Sequence, residues 1–150
     1  NYKQALTFLP SWARGIQVFA NASAQRATGE AADNFSGYIP RSANWGVSLA
    51  RPNFTLRLKW NYVSRARRGL VAAGRSIDPG TYNWSASRVL TDLSGEYVLR
   101  RQTAFFFNLS NLDNAALDTE IAGPNTPPVA RLSQRQFTGA LWTIGVKSSF

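Results

Sequence analysis

From residue 53 to residue 63, apolar and polar residues alternate without a break. Phe54, Leu56, Leu58, Trp60 and Tyr62 fall on one side, and Thr55, Arg57, Lys59 and Asn61 on the other. Successive strand side chains point to opposite faces, so the stretch predicts a two-faced strand. Its apolar face ends in two aromatics and its polar face carries two cations. A soluble sheet turns such charges to bulk water. A transmembrane barrel strand turns them into a lumen and sets the apolar row, with an aromatic girdle, against lipid.

The same period recurs and predicts seven strands, over 1–9, 15–26, 42–50, 53–64, 82–99, 102–112 and 135–150. In the second, Ile16, Val18, Ala20 and Ala22 oppose Gln17, Asn21, Ser23 and Gln25. In the third, Ala43, Trp45, Val47 and Leu49 oppose Asn44, Gly46 and Ser48. Val89, Leu93, Tyr97 and Leu99 then oppose Asp92, Ser94 and Glu96, and Phe105, Phe107 and Leu109 oppose Asn108 and Ser110. In the last, Trp142, Ile144, Val146 and Phe150 oppose Thr143, Gly145, Lys147 and Ser149. Phe19 and Phe106 break the rule by falling on the polar side. From Phe54 to Tyr62 is about 26 Å at ~3.3 Å per residue. A strand tilted by ~40° would then cover roughly 20 Å of membrane, close to the apolar band of outer-membrane barrels.

The breaks between strands alternate short and long: 9–15, 27–40, 51–53, 65–81, 100–101 and 113–134. Short turns on one side and long loops on the other are the asymmetry of outer-membrane barrels. The expected fold is therefore all-β, an antiparallel transmembrane β-barrel segment of about seven strands. No helical period, internal repeat or domain boundary interrupts it. No apolar run reaches the length of a transmembrane helix. The chain opens without a signal pattern, so further sequence is expected upstream.

Composition narrows the chemistry. The 150 residues contain no cysteine, histidine or methionine, and only eight aspartates and glutamates. Disulfide and thiolate chemistry, histidine-based triads and the usual neutral metal ligands are thereby excluded. No cofactor, metal site or enzymatic activity is expected. Seventeen lysines and arginines give a net charge of +9, which ordinarily points to nucleic acid or an anionic surface. The charge is spread, however. Arg14, Arg51, Arg100 and Arg101 fall in short turns, Arg65, Arg67 and Arg68 at the outer end of the fourth strand, and Arg57, Lys59 and Lys147 on the polar face. None falls in the middle of the apolar face, where a cation costs on the order of 2–4 kcal/mol. A soluble basic β-domain binding nucleic acid stays open, because Trp60 and Tyr62 adjoin that arginine cluster. So does a small stand-alone outer-membrane barrel.

The ending Trp142-Thr143-Ile144-Gly145-Val146-Lys147-Ser148-Ser149-Phe150 is similar to the barrel assembly signal, with Trp142, Ile144, Gly145, Val146 and Phe150 its characteristic positions. The logic is a strand edge that pairs with assembly machinery by strand addition. The run from Phe8 to Asn21, FLPSWARGIQVFAN, resembles a turn and strand near the end of TonB-dependent receptors. Ile39-Pro40-Arg41-Ser42-Ala43-Asn44, then Phe54 to Tyr62, Asp92 to Tyr97, Phe107 to Leu112 and the ending continue that resemblance in order.

The resemblance implies the C-terminal part of a 22-stranded barrel with an N-terminal plug inside it. It implies an outer-membrane location in a Gram-negative bacterium. It implies uptake of a scarce nutrient, of the siderophore–iron, cobalamin, haem or glycan class, driven through the TonB complex. The implied partners are the plug, the remaining barrel strands, the TonB complex, the assembly machinery and outer-membrane lipid, with no nucleic acid. Neither plug nor TonB-contacting segment lies in these residues, so they would not transport alone. Candidate substrate contacts are the lumen-facing Arg57, Lys59, Asn61, Asp92, Glu96, Asn108 and Ser110. Loop candidates are Tyr38, Arg41, Arg67 and Arg68 in the 67–75 stretch, Asp118 and Glu120.

Overall fold

The two-faced stretches become neighbouring strands of one antiparallel sheet. The structure, a computed structural model, describes residues 2–5, 10, 13–28, 36–100 and 102–148. Eleven strands follow in order: β1 (Tyr2–Ala5), β2 (Ile16–Ala24), β3 (Arg41–Ala50), β4 (Phe54–Val63), β5 (Ala66–Leu70), β6 (Tyr82–Ser85), β7 (Arg88–Arg100), β8 (Thr103–Ser110), β9 (Leu117–Ala122), β10 (Leu132–Gln136) and β11 (Leu141–Ser148). The protein is all-β. The main sheet is a seven-stranded meander, β1-β2-β3-β4-β7-β8-β11, with every pair antiparallel. It is open: among the described residues β1 pairs only with β2 and β11 only with β8. The predicted positions Leu9, Ser11, Trp12, Arg101, Ser149 and Phe150 lie outside the described residues.

The pairing puts the predicted faces in rows. Val18, Val47, Leu58, Leu93, Leu109 and Trp142 stand side by side across six strands. One step along, on the other face, run Gln17, Ser48, Arg57, Ser94, Asn108 and Thr143. The apolar row lies five residues from the β3–β4 turn (Val47 to Pro52, Leu58 to Asn53). It lies seven from the β7–β8 turn (Leu93 to Arg100, Leu109 to Gln102). The rim thus slips by about one residue per strand, ~3.3 Å along for each ~4.8 Å across. That is a strand tilt of roughly 35°, as closed barrels have.

Two expectations need correction. Stretches 65–81 and 113–134 were expected as loops, yet the first contains β5 and the second contains β9 and the start of β10; with β6 these form a second sheet in the order β10-β9-β6-β5. This order repeats β11-β8-β7-β4. The β4–β7 pairing frame carries through unchanged, from Val63 opposite Arg88 to Ala66 opposite Ser85 and Arg67 opposite Trp84. The hairpins run on past the apolar band because backbone pairing is indifferent to side-chain polarity, and extending a closed hairpin adds little loop entropy. For the same reason the predicted strands 82–99 and 135–150 are each two strands, parted between Ser85 and Arg88 and between Gln136 and Leu141. Asn111 clamps the second parting. Its side chain donates to Gly139 O (3.0 Å) and accepts from Ala115 N–H (2.8 Å).

Almost nothing is buried. Ala13, Ala66 and Ala104 are the buried apolar residues among those described, and no large side chain is enclosed. The accessible surface is 10777 Å² for a 16.5 kDa chain. A globular protein of that mass exposes roughly 7,600 Å². The sheet is a single layer, and its apolar face stands open, with Val47 39 % and Ile144 74 % exposed. Phe19 and Phe106 do point to the polar side. Each lies across a glycine directly opposite on the next strand, Gly46 and Gly145. A Cβ on Gly46 would meet Phe19 Cζ at 2.6 Å, and one on Gly145 would meet Phe106 Cζ at 2.6 Å. The glycines are therefore the seats that let the rings lie flat, an arrangement that also stiffens the glycine.

Candidate functional site

The concavities of the main sheet lie along its polar face. Three of them, of about 590, 490 and 250 Å³, all include Arg57 in their lining. Arg57 comes from the middle of β4, where the two-residue period aims it into the hollow beside Ser94 and Ser48. Its guanidinium sits 5.7 Å from the centre of the Phe19 ring, and the ring in turn is seated on Gly46. No carboxylate pairs with Arg57 among the described residues.

Charge pairs flank it on both sides. Toward the outer end, Asp92 accepts from Asn61 Nδ2 (2.8 Å) and, through its other oxygen, from Asn111 N–H (3.2 Å). Lys59 Nζ stands 3.8 Å from the same carboxylate. Toward the turns, Lys147 reaches over the small Ala104 of β8 to Glu96, 2.5 Å away. Asn108 lines the hollow between them, and Ser110 its outer edge. Arg57, Lys59, Asn61, Asp92, Glu96 and Asn108 thus share one concave surface. Its two ion pairs cancel and its central guanidinium remains. Such a surface binds polar or anionic groups by hydrogen bonding and charge. It holds no nucleophile with an adjacent base, and no metal-ligating cluster occurs among the described residues.

The second sheet extends the same side outward, since Arg57, Lys59, Asn61, Arg65 and Arg67 keep one parity along one strand line. Arg65 stacks over Trp84 at 4.1 Å and pairs with Glu120 at 2.7 Å. Arg67 stacks over Tyr82 at 4.7 Å. Arg135 grips Asp118 with two nitrogens, at 2.8 and 2.6 Å. The bidentate hydrogen bond holds the Asp118 carboxyl below its usual range and raises Arg135. Arg68 turns to the opposite side and donates to Ser85 Oγ at 2.8 Å, so Arg67 and Arg68 do not share a site. Arg41 begins β3 on that opposite side as well.

Parity put Lys147 on the polar face without its being named among the substrate contacts, and Phe19, Arg65 and Trp84 were missed as site residues; the same parity extended past Val63 could have found Arg65. The Trp84 stack needed the β5–β6 pairing. Of the assembly positions, Trp142, Ile144 and Val146 stand on the open apolar face, and Gly145 lies under Phe106. Compared with family models, with curated proteins and with solved structures, the chain matches none. What the fold defines by itself is a class: an all-β, antiparallel, single-layer sheet with one apolar and one polar face.

Proposed function

We propose that this chain is a wall segment of a TonB-dependent outer-membrane receptor that takes up a scarce nutrient. One observation carries the membrane part. A single-layer sheet leaves its apolar face uncovered while its concave face is lined with charged and amide side chains. In water the apolar face would have no partner; in a bilayer lipid supplies one. Aromatic residues border that face at both ends, with Trp45, Trp60 and Tyr62 outside and Phe54, Tyr97 and Phe105 toward the turns. The tilt of roughly 35° suits a closed wall. Seven strands with two unpaired edges are untenable in lipid, so the segment needs further strands of the same barrel. The receptor part rests on the ordered resemblance from Phe8 to Phe150. On this reading the concave face with Arg57 lines the pore beside the plug, and the second sheet stands outside the membrane around the entrance.

The test is the mass and location of the native polypeptide containing this sequence, detected with an antibody to residues 113–134. A band several-fold larger than 16.5 kDa in the outer membrane, whose gel mobility changes on boiling, is the expected result. A soluble band near the mass of this chain refutes it.

A further inference from the structure

The connections before β6 and after β9 are locked together, and a hollow of about 420 Å³ opens between them. Thr81, just before β6, is buried and donates from Oγ1 to Asp78 O (2.7 Å), which closes the turn through Gly80. Gly123, just after β9, packs so closely on Thr81 that a Cβ there would collide with it. Gly123 N–H donates to Thr126 Oγ1 (2.9 Å), Thr126 N–H donates back to Gly123 O (3.2 Å), and Ile121 N–H donates to Arg131 O (2.8 Å). Asn125 Nδ2 bridges the two connections by donating to Asp78 Oδ2 (3.0 Å). Pro79, Pro124, Pro127 and Pro128 fix φ at further positions. Connections of this length are thereby preorganised. The hollow lies on the side of the sheet away from Arg65 and Arg67. Thr81 and Ile121 share the side of Asn83, which stands opposite Ile121, whereas Trp84 and Tyr82, the rings under those arginines, emerge on the other.

Asp78 and Arg131 both line the hollow, yet no ion pair joins them, and neither has an oppositely charged partner among the described residues. Asp78 Oδ2 is steadied by a neutral amide, and Arg131 spends Nε on Thr126 O (3.5 Å), which leaves its two terminal nitrogens. The hydroxyls of Ser76 and Ser133 and the apolar Ile77, Ile121 and Pro127 add to the lining. A free anion is repelled by Asp78 and a free cation by Arg131. A neutral molecule whose groups both donate and accept satisfies the two at once. A saccharide presents such hydroxyls beside a C–H face that packs on isoleucine and proline, and the volume is that of a small-ligand site. A small zwitterion would also match the charges, but exposed ion pairs contribute little and the apolar wall would go unused. We infer that this hollow is a binding site for a neutral saccharide unit, with Asp78 accepting from its hydroxyls and Arg131 donating to them. The site faces away from the polar side, so this inference goes beyond the uptake reading and does not rest on it.

The test uses the complete polypeptide containing this chain, in mild detergent. Saturation-transfer NMR measures binding of methyl glucoside, methyl galactoside and methyl mannoside, of the polysaccharide stripped from the cells that make the protein, and of glycine. The expected result is binding of a glycoside or of the polysaccharide, with transfer strongest to the protons of one ring face. Asp78→Asn and Arg131→Gln should each weaken it at least about tenfold. Ser133→Trp fills the hollow while leaving both charges, and should abolish binding with the β6 and β9 amides exchanging as before. A glycoside that binds by itself means a free sugar is the ligand; polysaccharide binding alone means a sugar within a chain. Glycine that binds and displaces the sugar makes the hollow a zwitterion site and overturns the saccharide assignment. Saccharide binding that survives all three substitutions, or no binding of any saccharide, overturns the site. None of these outcomes alters the mass or location of the native polypeptide, so the receptor reading stands or falls separately.

Discussion

Leu58 tests the assignment of faces most sharply. It lies in the row Val47, Leu58, Leu93, four residues from Phe54 and four from Tyr62, so it is midway between the two aromatic borders. Each four-residue step is ~13 Å along the strand, or about 11 Å of depth at a tilt of roughly 35°. If the apolar face meets lipid as proposed, Leu58 falls near the middle of an apolar band ~25 Å tall, where arginine costs on the order of 2–4 kcal/mol. At a tenfold change per 1.4 kcal/mol, Leu58→Arg should lower the folded-to-unfolded ratio by about 30- to 700-fold. Asn44→Arg places the same charge on the polar face, in the row Asn21, Asn44, Asn61, and should stay within about 0.5 kcal/mol. Both variants of the complete protein are unfolded by urea in lipid vesicles, with the boiling-sensitive gel shift as readout. In a water-facing sheet Leu58→Arg would be an ordinary surface change. Equal midpoints for the two variants would therefore refute the reasoning.

Three further outcomes are expected. Gly145→Ala should destabilise the fold by about 1–3 kcal/mol, because the three atoms nearest the new methyl all belong to the Phe106 ring, and Phe106→Ala should suppress most of that loss in a double-mutant cycle; strict additivity would contradict the ring-on-glycine account. The Asp118 carboxyl is lowered in the fold, so its stabilising contribution is complete above the unfolded carboxylate pKa and fades as pH falls through the lower folded value. Hydrogen exchange of the β9–β10 amides, corrected for intrinsic rates, should thus be steady at neutral pH and speed up only below about pH 4, and Asp118→Asn should flatten that dependence. On the proposed receptor reading, Arg57→Gln should leave vesicle folding unchanged and shift the ion selectivity of a plug-free pore toward cations; unaltered selectivity would mean that Arg57 does not face a conduction path.

The seven strands of the main sheet were legible because a half-polar strand writes its two faces into alternate positions. Arg57, Lys59, Asn61 and Asp92 could be placed together from parity alone. Even the apparent errors, Phe19 and Phe106, were assigned to the correct side, although nothing local tells that each ring has a glycine opposite. That needs the β2–β3 and β8–β11 registers. The second sheet was not legible. Its strands are four to six residues long and bounded by glycine and proline, and β6 finds β9 across a gap of over thirty residues, Tyr82 opposite Ala122. The Glu96–Lys147 pair was hidden for a related reason. It spans an intervening strand and depends on Ala104 being small enough to reach over.

The unbroken frame between β4–β7 and β5–β6 turns segment length into a constraint on charge placement. The chain between Leu58 and Arg67 acts as a counter: each residue flips the side on which the next one emerges. One residue inserted after Ser64 would send Arg65 and Arg67 to the apolar side and bring Arg68 to the polar side, exchanging the Glu120-paired and ring-stacked cations for one held by Ser85. Two inserted residues would merely raise the outer sheet by one pleat and leave every charge on its side. Lengthening of these hairpins is therefore compatible with both faces only in even steps, and the second sheet can grow taller without changing which charges each face carries.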